Sequence, residues 1–201
     1  MRRLSLILLA AMPMAAAAQE WGIVIAHSES VFWDGRGGAP GIIPSPVLET
    51  TFGLTYRHHL ASRVVLQPEL HYVPRGEMDR FESGHVVLPI MLRVGNLAPD
   101  RGRIAPVISI GIAPAMQITC QYQQDGGDNL RACNDVVASN DYRLRRFDLG
   151  LVGAVGLEAR AVGWLAGPEL RTERGLRGVR SSRPGYQNRA VQLMLHLKPG
   201  N

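Results

Sequence analysis

The chain is nearly devoid of lysine. Of its 22 basic residues Lys198 is the one lysine, and the others are arginine. A water-facing surface usually carries more. Beyond residue 14 the sequence has no second long apolar run, which excludes a membrane-crossing helix there, since a span needs roughly 20 apolar residues. It has two cysteines, Cys120 and Cys133, without the close Cys pair or the four ligands of a zinc site. A strong excess of one charge is also missing, so nothing marks a nucleic-acid-binding domain. With 46% hydrophobic and 19% charged residues, the composition excludes a disordered chain.

The first residues read as a leader. Arg2 and Arg3 are followed by the apolar run Leu4 to Met14 and by Ala16-Ala17-Ala18. This is the positive, apolar, small-residue order of a cleaved signal peptide. The sequence therefore divides into a leader over 1–18 and one domain over 19–201. Cleavage leaves 20 basic against 17 acidic residues, a charge near +3. Export into an oxidising compartment favours a Cys120–Cys133 disulfide. Two free thiols, or half of a metal site, are the alternatives.

The mature chain is rich in glycine, 22 residues in all, placed inside apolar-alternating segments. Interior glycine costs a helix about 1 kcal/mol each, so a helical bundle is excluded. Alternation with period two means strand, because successive side chains point to opposite faces. It is clearest over Phe147 to Arg160, where Phe147, Leu149, Leu151, Val155 and Leu157 share one face. Asp148, Gly150, Val152, Ala154, Gly156 and Glu158 share the other. The same pattern runs over Val47 to Leu60, Arg63 to Arg75 and Arg103 to Tyr122. It is weaker over Trp21 to Phe32, Gly84 to Gly95, Trp164 to Gly175 and Asn188 to Lys198. These are eight strands. The expected long connections are 34–46, 75–83, 123–145 and 176–187; those near 61–62 and 161–162 are very short. Long loops at one end and tight turns at the other predict an all-β, up-and-down transmembrane barrel with extracellular loops and periplasmic turns.

A soluble barrel alternates too, with its apolar face inward. The polar faces here mix charges with many glycines and alanines. An eight-stranded interior is just wide enough for side chains to fill, and small residues beside ion pairs would fill it. The expected lumen network is Glu49, Arg57, Glu69, Arg93, Asp148, Glu158, Glu169 and Arg171. Pro68, Pro89, Pro106, Pro114 and Pro168 all fall in strands. A closed barrel has no edge to hold them, so bulges or strand ends must.

Three runs follow in order: LQPELHYVPRGEM at 66–78, HVVLPIMLRVG at 85–95 and PVISIGIAPAM at 106–116. A fourth, RRFDLGLVGAVGLEARAVGWLAGPELRTERGL, occupies 145–176. Together they resemble the PorT-type outer-membrane β-barrel family. The resemblance implies an eight-stranded barrel in the bacterial outer membrane without a catalytic site. Thr172 stands where that family tends to have tyrosine. The chain ends Leu-Lys-Pro-Gly-Asn rather than in the aromatic residue that commonly serves barrel assembly.

Other chemistries find little support. Gly150, Gly153 and Gly156 could suggest a dinucleotide fingerprint, but that needs a helix beginning within it, and alternation runs straight through. No cofactor or metal is expected. His58 and His59 are adjacent on a strand and point to opposite faces. His58 is the attractive base for a lipid-modifying enzyme, but it has no serine or carboxylate two or four residues away on its face. Arg171, Arg174, Arg177, Arg180 and Arg183 lead into the last loop. Guanidinium forks match phosphate geometry, so Arg177, Arg180 and Arg183 are candidate contacts to lipopolysaccharide. The expectation is an outer-membrane barrel in a structural, adhesive or envelope-complex role. The competing readings are a lipid-modifying barrel enzyme and a soluble periplasmic barrel binding a hydrophobic ligand.

Overall fold

The fold was obtained as a computed structural model. It describes residues 19–33, 47–77, 81–96, 102–123, 130–132, 146–161, 163–176 and 187–199. The expected leader, Cys133, Arg177, Arg180 and Arg183 lie outside them.

Ten strands appear in chain order. They are β1 (Gln19–Trp33), β2 (Val47–Ala61), β3 (Val64–Glu77), β4 (Phe81–Val87), β5 (Ile90–Gly95), β6 (Ile104–Gln123), β7 (Leu130–Ala132), β8 (Phe147–Ala161), β9 (Trp164–Gly175) and β10 (Gln187–Pro199). All pairings are antiparallel between neighbours, and β1 pairs with both β2 and β10. The sheet therefore closes on itself. No helix occurs among the described residues.

β4 and β5 are one wall strand interrupted at Leu88–Pro89; both pair with β3 on one side and β6 on the other. Counted so, the wall has the eight expected strands. β7 pairs only with β6 and extends it beyond the wall. Two expected loops are thus corrected. The 75–83 connection is mostly ladder, since pairing continues to Glu77 opposite Phe81. The 123–145 connection contains β7.

Pro89 lies between two strand ends, as expected, whereas Pro68 and Pro168 fall at local lapses in the ladder and Pro106 and Pro114 keep their register with β8. Pairing between β2 and β3 skips from Thr55–Glu69 to His58–Leu66, which spans Pro68. Pairing between β8 and β9 skips from Gly156–Glu169 to Ala159–Ala166, which spans Pro168. At the Pro89 break, Glu69 N donates to Pro89 O and Leu88 N to Pro114 O, so the neighbouring donors stay satisfied. The bulges fall elsewhere, between His59 and Ala61 and between Gly84 and His85.

Gln19 and Pro199 lie at the end of the barrel that carries the short turns. Gly102 and Gly163 turn the chain there with φ of 75° and 77°, a left-handed conformation that favours glycine. At the other end β2 and β3 part company. Their ladder ends at Gly53–His71, above which β2 stays on β1 and β3 on β4.

Candidate functional site

The two faces of the wall are sorted in the sense opposite to a soluble protein. Outward positions hold Phe52, Leu54, Leu70, Ile104, Ile108, Ile110, Leu151, Val155, Leu170 and Leu193, all strongly exposed; Ile110 is 66% accessible. Inward positions hold arginine, glutamate, histidine, serine and threonine, nearly all buried. About ten tilted strand residues cross the roughly 25 Å apolar band of such a barrel, and every wall hairpin is long enough. Trp21, Tyr56 and Trp164 gather near the short-turn end. The rings of Trp21 and Tyr56 pack 4.9 Å apart at 52°. Aromatic residues concentrate at membrane–water boundaries because one end of the ring system is wet and the other apolar.

The lumen is spanned by a single charged cluster. Arg57 donates to both oxygens of Glu158, at 3.2 and 2.6 Å, and through Nε to Gln67 at 2.6 Å. Arg93 bridges Glu158 at 3.2 Å and Glu169 at 2.6 Å. Arg171 forks onto Glu69 at 2.7 and 2.9 Å and reaches Glu169 at 2.8 Å. Gln67 donates to Glu69 at 2.7 Å and closes the circuit. Each of these charged residues is at most 2% exposed. His71 Nε2 lies 2.9 Å from Glu69, and His196 Nε2 lies 3.7 Å from Glu169, both out of hydrogen-bond line.

The cluster joins two walls. Arg57, Gln67, Glu69 and Arg93 come from β2, β3 and β5; Glu158, Glu169 and Arg171 come from β8 and β9. Between them β1 and β6 present small side chains, including Ala26, Ser28, Ser109 and Ala113, which leave room for the long ones. Glycine serves the same end at Gly156. A Cβ there would stand 2.7 Å from the Pro168 carbonyl and 3.2 Å from Glu169 Cβ. Three guanidinium groups meet three carboxylates, so the cluster is neutral when the histidines are. Removing charges from water is tolerated only with such pairing and satisfied forks. Ionisable side chains at membrane depth face the interior for the same reason. Toward the short-turn mouth a second group forms. Lys198 donates to Glu20, and His59 Nε2 stands 3.6 Å from the same carboxylate.

Six of the eight expected lumen residues thus meet: Arg57, Glu69, Arg93, Glu158, Glu169 and Arg171. Glu49 and Asp148 do not. Both are half-buried nearer the long-loop end, and Asp148 Oδ1 instead accepts from the Leu149 amide at 2.7 Å. Gln67, His71 and His196 join the cluster or its border without having been singled out. Their inward parity was the available signal. The last-loop arginines divide: Arg171 is in the lumen, while Arg174 belongs to β9 and points outward. His58 is outward and exposed. His27, outward on β1, approaches Thr50 Oγ1 at 3.4 Å. No group of potential metal ligands occurs among the described residues. Cys120 on β6 is not a free thiol, and no free cysteine occurs among the described residues.

An apolar coat around a packed polar lumen defines the fold as a transmembrane β-barrel of eight strands. Among solved structures, the chain is similar to that of Neisserial surface protein A, with a TM-score of 0.60, at 7% identity over 91% of this chain and 97% of that one. More distant are Ail, the attachment invasion locus protein of Yersinia pestis, and the outer membrane protein OprG of Pseudomonas aeruginosa. Ail has a TM-score of 0.46 at 10% identity over 90% of this chain and 98% of that one. OprG has a TM-score of 0.43 at 14% identity over 90% and 91%. The likeness to the Neisserial protein carries the fold; the other two add nothing to it. No protein-family model and no curated protein matches the chain.

Proposed function

We propose that the chain is an integral protein of a bacterial outer membrane, non-catalytic and non-conducting, which serves a structural, adhesive or envelope-complex role through its long-loop end. The carrying observation is the neutral Arg–Glu cluster across the lumen, enclosed by a coat of exposed apolar side chains. Such a coat needs lipid, and such a cluster supports a filled lumen, as an eight-stranded interior is just wide enough for side chains to fill. The order of the Glu-Leu-x-Tyr, Pro-containing and Gly-x-Glu segments supports kinship with the PorT-type barrels. The short-turn end, with Gln19 and Pro199, is the periplasmic one. On this reading the export leader over 1–18 is removed. A Cys120–Cys133 bridge then ties β6 to the β7 segment; the ladder already pairs Gln121 with Ala132, the immediate neighbours of the two cysteines. Arg177, Arg180 and Arg183, in the last loop, are the proposed lipopolysaccharide contacts.

The test is fractionation followed by gel mobility with and without boiling. A heat-dependent shift in the outer-membrane fraction is the expected result. Recovery as a soluble periplasmic protein without a shift would overturn the reading.

A further inference from the structure

Directly above the charged cluster, toward the long-loop end, the inward side chains become short. β1, β2, β3, β6 and β10 present Ser28, Thr51, Val73, Ala115 and Ala190 there, against Arg57, Glu69, Arg93 and Arg171 below. The register fixes the level. Ser30 pairs with Ala190, Ala190 with Glu173 and Glu173 with Val152, and Glu173 is one inward step above Arg171. An eight-stranded interior is just wide enough for side chains to fill, so short ones leave it underfilled. The longer side chains nearby, His85 and Glu173, have partners of their own. Glu173 lies over Gly150, where a Cβ would stand 2.9 Å from its Oε1. Four neutral polar side chains differ. Ser28 Oγ, Ser30 Oγ, Thr51 Oγ1 and both ends of the Asn188 carboxamide have no hydrogen-bond partner, although each residue is at most 3% exposed. They belong to three adjacent strands, β10, β1 and β2. Across the lumen and beside them, Val73, Val87, Ala113, Ala115 and Val152 form a buried apolar cluster. The ladder between β2 and β3 has ended at Gly53–His71, so Thr51 and Val73 flank the unpaired part of the wall.

We infer that this upper lumen is a chamber for a small amphiphile, a short alkyl chain ending in an uncharged hydrogen-bonding group such as a hydroxyl. Ligand sites are mostly apolar with a few placed polar groups, and here the two kinds of lining face each other. The apolar cluster takes the chain. The hydroxyl donates to one of the four polar side chains and accepts from another, which relieves the cost of burying them unpaired. An ionic headgroup does not suit the chamber: its unpartnered groups are neutral, and the arginines and glutamates beneath it are paired with one another. The unpaired β2–β3 wall places the chamber beside the leaflet in which amphiphiles dissolve. The inference thus rests on the proposed membrane location.

The experiment titrates 1-octanol into the full-length protein, labelled at its valine methyls, in perdeuterated micelles and follows the methyl NMR spectrum. The methyls of Val73, Val87 and Val152 should shift saturably and show contacts to octanol protons. Val65 and Val107, inward on the short-turn side of the cluster, should stay in place. At equal mole fraction in the micelle, octanol should bind at least about tenfold more tightly than octane. Ser28→Ala, Ser30→Ala, Thr51→Val and Asn188→Leu together should abolish that preference. Absence of saturable shifts at the three valines of the wild type overturns the chamber and leaves water as the partner of the polar groups. A preference for octanol that survives in the fourfold variant overturns it too, as does octanoate binding as tightly as octanol. Boiled and unboiled gel mobility reports whether each barrel is intact, and the wild-type titration decides the matter should the variant not fold. A wild-type protein lacking the heat-dependent shift sinks the membrane reading itself, separately from the chamber.

Discussion

Arg57 reaches across the lumen to Glu158, 101 residues further along the chain, and holds both of its carboxylate oxygens. Glu158 also receives Arg93 at 3.2 Å. One carboxylate thus balances parts of two guanidinium groups that both reach it from the facing wall of the barrel. Removing it leaves buried cations without their partner, a loss of about 3–5 kcal/mol for a buried pair. Glu158→Leu should therefore destabilise the barrel by that amount in urea unfolding from lipid vesicles, followed by tryptophan fluorescence. A loss below about 1 kcal/mol would mean that water reaches the cluster and solvates the arginines.

The same cluster spans the bore. Arg93 and Arg171 are the largest fully buried side chains among the described residues. Wild-type protein in planar bilayers should show no steady conductance, because eight strands leave no channel once side chains fill the interior. Replacing Arg93, Arg171, Glu69 and Glu169 together with serine removes the long side chains while keeping the interior polar. Stepwise currents should then appear. A wild-type channel of stable conductance would refute the closed-lumen reading.

Much of this was legible in the sequence, and the limits have physical causes. Parity assigns a face to each residue, so Arg57, Glu69, Arg93, Glu158, Glu169 and Arg171 could be placed in the lumen from alternation alone. Parity says nothing about height. Glu49 and Asp148 share the inward face but stand nearer the long-loop end, so they miss the cluster. Height depends on register between strands, which a single sequence does not reveal. The turn chemistry of 75–83, rich in Gly, Glu, Asp and Arg, looked like loop, yet β3 and β4 pair through Glu77. Backbone ladders beyond the membrane need no apolar alternation, because water covers both faces. Arg174 opens a run of basic residues that leads into the last loop. Its place on β9 follows from the continued alternation through Gly175.

The apolar coat makes a directional prediction about charge. Ile110 sits outward on β6, in the middle of a run from Ile104 to Ile118. Ile110→Arg should cost about 2–4 kcal/mol of membrane folding stability, as lipid-facing arginine does near the midplane. Ser109, one residue away, faces inward and is buried. Ser109→Ala should change stability by less than about 1 kcal/mol, since it removes no charge and no long side chain. Folding yields in vesicles of both variants check the sign. Equal tolerance of the two changes would mean that the outward face does not meet lipid.

The β2–β3 seam gives a prediction about motion. Pairing stops at Gly53–His71, while β2 continues to Val47 and β3 to Glu77. Amide groups that face a ladder are protected from exchange, and those on an unpaired side are released by small local openings. Alternate amides of Thr50 to Phe52 and of Tyr72 to Pro74 point into this seam. Because proline has no amide, whichever of the Tyr72 and Val73 amides faces away from β4 carries the measurable signal on β3. Hydrogen exchange in micelles should therefore be faster in the upper segments of β2 and β3 than in Leu54–Thr55 and Glu69–Leu70 below the split. Bridging the seam with a Thr51→Cys and Val73→Cys pair, both inward and buried, should slow it under oxidising conditions. Uniform protection along both strands would show that the ladder persists in solution to the long-loop end, and that the seam is as tight as its neighbours.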